Sequence, residues 1–231
     1  RGGVPRPGPE ADPPHGRPPR RGVGCGGRRA RQPREESSGG EPARHDVTGS
    51  PDDARNVIAA CKTALASASP SSADWARGAS MLALALHQSY LDGDLPDLDE
   101  ATTLARAAAQ TGRGDRADRG SIASTLSTIL QTGYSLTADP RDLDDAVAAA
   151  QTATAVAHLP RSQAIFRSNL AAALVARFAL TGHRSDLDEA VNAARAAVDA
   201  TQDGDVGLPR RLFNLAASLS SRYETLGTAS D

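Results

Sequence analysis

Apolar residues recur at helical spacing through much of the chain. Leu187, Ala190, Val191, Ala194, Ala197 and Val198 fall at i, i+3, i+4, i+7, i+10 and i+11, which is one stripe of a helix. Upstream, Phe166, Leu170, Leu174 and Phe178 advance in steps of four along a second stripe. Each pattern predicts an amphipathic helix, and neither helix can bury its stripe alone.

The pair of patterns returns. DLDEA at 97–101 recurs as DLDDA at 142–146 and as DLDEA at 186–190, spacings of 45 and 44 residues, with a degenerate PDDA at 51–54. The intervening segments align too, placing Phe178 on Tyr134, Thr181 on Thr137, Tyr223 on Phe178 and Gly227 on Gly182. A period of 44 to 45 residues that holds two helical patterns predicts an all-α solenoid of antiparallel helix pairs over 51–231. Its last helix is expected at about Leu208–Leu226, with Leu212, Leu215, Leu219 and Tyr223 on a stripe that no later helix covers. Terminal repeats need a polar outer face, so self-association or fraying is expected there.

Residues 1–50 differ in kind. They hold nine of the 15 prolines and 11 of the 21 glycines, with almost no large apolar residue, and are expected to form a disordered tail. Within them GVGCGG, residues 22–27, formally matches G-x-G-x-x-G. It lacks the strand before and the helix after that a phosphate loop requires. The first Met is Met81, so the tail's start is not a normal initiation site. Either the sequence is a fragment, or part of the tail does not belong to this reading frame. The closing Ala229, Ser230 and Asp231 align on Arg184, Ser185 and Asp186, so the array is expected to be cut at the start of a further repeat.

The residues at the core positions carry a family resemblance. Leu170, Ala171 and Leu174 followed by Ala190, Ala194 and Ala197 match the apolar and small residues of a tetratricopeptide repeat. So do Leu82, Ala83 and Leu86 with Ala101, Ala105 and Ala108, and Leu126, Ser127 and Leu130 with Ala146, Ala150 and Ala153. The unit is about ten residues longer than the usual 34. NLAAALVARFALTG leading into SDLDEAV resembles the long-repeat arrays that precede CHAT domains, the caspase-like peptidase domains of bacterial proteins. The resemblance implies a right-handed solenoid whose first helices line a concave groove for a protein or peptide. Carried over by position, that groove would comprise Ser80, Leu84, His87 and Gln88, then Ser124, Thr128 and Gln131, then Ser168, Ala172 and Val175. Arg177 and Arg222, at matching positions, would meet an acidic partner or pair internally with Asp186 or Glu189.

Composition adds mainly exclusions. The formal charge of -2 combines a basic tail, ten Arg against six acids, with an acidic repeat region that offers no basic face for nucleic acid. Cys25 and Cys61 form neither a disulfide framework nor a zinc motif, and Cys61 falls on the small-residue slot of Ala108, Ala153 and Ala197. The five histidines show no ligand spacing. No signal peptide or membrane-spanning run of about 20 residues is evident, which favours a cytoplasmic protein without a membrane partner.

The acidic clusters read as helix starts. Asp186 with Glu189, Asp97 with Glu100, and Asp142 with Asp145 have the spacing of capping boxes, and three such sites one repeat apart cannot converge on one substrate. The expected function is therefore a non-catalytic protein-interaction scaffold, with no cofactor and no metal. Two alternatives stand beside it: the sensor part of a CHAT-domain cysteine peptidase, and an adaptor touching nucleic acid through its Arg-rich tail.

Overall fold

The computed structural model describes residues 51–70, 72–94 and 98–227; the tail and the alignment at 229–231 lie outside these. Among the described residues the chain forms eight helices and no strand: α1 (Pro51–Ser67), α2 (Ala73–Leu91), α3 (Asp99–Gln110), α4 (Arg116–Thr137), α5 (Pro140–Val156), α6 (Pro160–Thr181), α7 (Arg184–Asp199) and α8 (Leu208–Leu226). The fold is all-α.

Local chemistry fixes several helix ends. Ser72 caps α2 by accepting the Trp75 amide at 3.0 Å. Asp115 and Asp118 form a reciprocal capping box on α4. Asp139 caps α5 ahead of Pro140, whose fixed φ and missing donor suit the first helical position. The turns that leave α2, α4, α6 and α8 reach the left-handed region at one repeat position, occupied by Gly93, Ala138, Gly182 and Gly227, with φ of 83°, 54°, 71° and 60°.

Packing follows chain order. Each helix touches its sequence neighbours, and the even-numbered helices also touch one another in succession, α2 on α4, α4 on α6 and α6 on α8. The odd-numbered helices do not approach one another closely along the backbone and meet only through long side chains. The core is therefore a series of small interfaces. One cluster joins Leu82, Leu86, Ala101, Ala105 and Ile129; the next joins Leu130, Val147, Leu170, Leu174 and Ala194. Alanine dominates because close helix approach requires small side chains at the crossings. Gly120 carries this further, since a Cβ there would lie 2.8 Å from the Phe166 ring.

Most predicted buried positions are buried, including Leu187, Ala190, Val191, Ala194, Ala197 and Cys61. One expectation needs correction. By length and composition α6 is long and apolar enough to cross a membrane. Here its Phe166, Leu170, Ala171 and Leu174 are buried in the protein core.

Candidate interaction surface

The acidic motifs of α5 and α7 do not start their helices. α7 begins two residues earlier, at Arg184, so Asp186 is its third residue; Asp142 is likewise the third residue of α5, behind the Asp139 cap. α3 begins at Asp99, and Asp97 lies outside the described residues. A carboxylate at the third position still meets the positive end of the helix dipole, which is why the pattern imitates a cap.

Each acid of the motif instead reaches a different neighbour. The first, Asp186, accepts two bonds of 2.9 Å from the Arg177 guanidinium of α6, and Asp142 accepts from Arg106 Nη2 of α3 at 2.9 Å. The second binds the following even-numbered helix: Asp144 meets Arg177 at 3.3 Å and Asp188 meets Arg222 at 3.7 Å. The third binds the preceding odd-numbered helix. Lys62 meets Glu100 at 3.0 Å, Arg106 meets Asp145 at 2.6 Å and Gln151 donates to Glu189 at 3.3 Å. These carboxylates raise the pKa of Arg177, chiefly through the Asp186 hydrogen bond, and of Arg106, chiefly through Asp145.

A second ladder joins the even-numbered helices. Asn169 Nδ2 donates to Ser124 Oγ at 2.9 Å, and one repeat later Asn214 Nδ2 donates to Ser168 Oγ at 2.9 Å. His87 Nε2 lies 2.9 Å from Thr132 Oγ1, and burial lowers the pKa of this imidazole. Ser80, His87, Ser124 and Ser168 are accordingly buried. In α8 the serine position of this ladder is held by Phe213, 71% exposed, so the ladder stops there.

The other residues nominated for a groove are spread over several surroundings. Leu84 and Gln88 are exposed on α2, with Gln88 bonded to Asp92 of the following turn. Thr128 and Gln131 are half-buried and donate to their own helix, to the Ser124 carbonyl and to the Ser127 hydroxyl and carbonyl, while the Thr128 hydroxyl also accepts from Asn169 of α6 at 3.5 Å. Ala172 and Val175 are half-buried, Val175 against the core, while Arg177 and Arg222 are held by the carboxylates above.

Two surface features stand out. Met81, Leu84 and Leu91, respectively 61%, 48% and 55% exposed, form an apolar stripe on α2 that includes Gln88. The register of Met81, Leu84 and Gln88 is that of Thr125, Thr128 and Thr132 on α4, and Thr132 meets α2 through His87. The second is a cavity of about 440 Å³ bounded by α3, α4 and α5. None of the residues nominated from sequence lines it, because it arises from small side chains rather than from a motif.

On α8, Leu212 and Tyr223 are exposed while Leu215 and Leu219 are half-buried, so the predicted uncovered stripe is partly covered. Among the described residues no group of three or more His, Cys, Asp or Glu is placed to hold a metal ion. His158 and His183 lie in exposed connections. Compared with family models, curated proteins and solved structures, the chain matches none of them.

Proposed function

We propose that this chain is a non-catalytic protein-interaction scaffold, a right-handed solenoid of tetratricopeptide-like helix pairs that seats a partner helix along α2. The observation that carries the reading is the Met81, Leu84 and Leu91 stripe. Its Gln88 holds the register at which Thr132 of α4 meets His87 of α2, so a helix laid there would repeat a contact the fold already makes between even-numbered helices. Contiguous exposed apolar area of this kind marks interaction sites. The neighbour-only packing supports the solenoid, and the ion-pair ladders would hold the repeats rigid beneath the partner.

The test places a photo-crosslinking amino acid at Leu84 in cells expressing the chain, with and without Met81→Glu and Leu91→Glu. A discrete adduct with another protein that disappears in the double variant is expected. Diffuse labelling, or an adduct indifferent to both substitutions, would overturn the proposal. An adduct between two copies of the chain would replace the partner helix with self-association.

A further inference from the structure

The cavity between α3 and α5 sits away from the α2 stripe and stands on its own evidence. Its floor is apolar, made by Ile122, Ala123 and Leu126 of α4. The corresponding place one repeat later has Arg167 in the position of Ala123, Asn192 in that of Ala148 and Thr154 in that of Ala109. Three small side chains stand here where the next repeat carries larger ones. At about 440 Å³ the space lies within the range of small-molecule sites.

Charge at its edge is one-sided. Arg106, Arg113 and Arg119 line the cavity with a single acid, Asp145. Arg106 is committed to Asp142 and Asp145. The Arg113 and Arg119 guanidinium groups have no hydrogen-bond or ion-pair partner among the described residues, and both residues are exposed. An apolar floor beneath two unengaged cations suits a ligand with an apolar body and one anionic end. A guanidinium pairs with a carboxylate through two parallel hydrogen bonds, which adds orientation to attraction.

We infer that this cavity binds a small amphiphilic carboxylate, with its hydrocarbon part over Ile122, Ala123 and Leu126 and its carboxylate between Arg113 and Arg119. The proposal involves no covalent step. The arginines supply selectivity for charge, and the alanines supply room.

Isothermal titration of the full chain with octanoate, octanol and octylamine, at low ionic strength and below the aggregation limit of each, tests it. Octanoate is expected to bind saturably at one site, about tenfold more tightly than octanol, with octylamine weakest. Arg113→Gln with Arg119→Gln should bring octanoate down to the level of octanol. Ala148→Trp, at an exposed position on the wall, should block all binding while leaving the helical circular dichroism intact. No saturable binding, equal binding of octylamine and octanoate, or octanoate binding that survives Ala148→Trp would overturn the proposal.

Discussion

Asp186 is the one buried carboxylate residue among the described residues, with its side chain 6% exposed beside Arg177 at 23%. Removing the cation while leaving that acid should cost about 3–5 kcal/mol, because an uncompensated buried charge is worse than a buried pair. Arg177→Met should therefore lower the urea midpoint strongly, and Arg177→Met with Asp186→Leu should recover most of the loss. Lys62 and Glu100 have the same repeat logic but side chains 50% and 54% exposed. There water screens the attraction, and Lys62→Met should change stability by only about 0–1 kcal/mol. Similar strings in the sequence thus hide very different energetics.

His87 makes a residue-scale prediction in pH. Burial lowers its pKa below the ordinary 6.5, so the folded chain binds fewer protons than the unfolded chain around and below that value. Its stabilising contribution is complete above about 6.5 and is lost as pH falls through the folded pKa. Stability measured by urea denaturation from pH 7.5 downward should decline more steeply in the natural chain than in His87→Gln. Glutamine is the residue at this register on α4, Gln131, and it does not titrate.

At the scale of the element, the turn after α4 is the exception among its equivalents. Ala138 sits at φ 54° where the other three turns use glycine. The left-handed conformation costs alanine about 1–2 kcal/mol, and glycine returns about 0.5–1 of that through greater freedom of the unfolded chain. Ala138→Gly should therefore raise stability by roughly 0.5–1 kcal/mol, read as a higher midpoint of thermal or urea unfolding.

The elements also show what the sequence made legible. The stripes of Leu187 to Val198 and Phe166 to Phe178 identified helices because burial repeats with the helical period, and α8 was expected over the residues it occupies. The start of α7 was misplaced because an acid at the first position before a helix and one at its third position satisfy the same electrostatic preference. Pairing of Arg177 with Asp186 was readable as an alternative to partner binding; pairing of Arg222 with Asp188 rather than Asp186 or Glu189 was not. The cavity was beyond reach for another reason. It depends on which alanines from three helices face one another, and an alanine in a helix gives the same signal whether or not a larger side chain stands opposite.

At the scale of the molecule, stability is built from neighbour terms, with no helix among the described residues reaching beyond the next two along the chain. Removing residues 142–185, a full period, should therefore leave a foldable chain. Arg106 would meet Asp186 and Glu189 in place of Asp142 and Asp145, and Asn214 would find Ser124 in place of Ser168. Helicity per residue should be unchanged, with one cooperative urea transition at a lower midpoint. Removing 142–184 instead leaves one extra residue, turns the following helix by about 100° relative to its cap, and should abolish that cooperativity.

The three-way bonding of the acidic motif has an implication for descent. The second acid of the motif addresses the even-numbered helix after it and the third addresses the odd-numbered helix before it by position alone, so in these two bonds one in-register copy can answer for another. Unequal recombination between repeats can then lengthen or shorten the chain without a change of side chain at the junction. The number of repeats becomes a heritable quantity separate from the chemistry that holds them together.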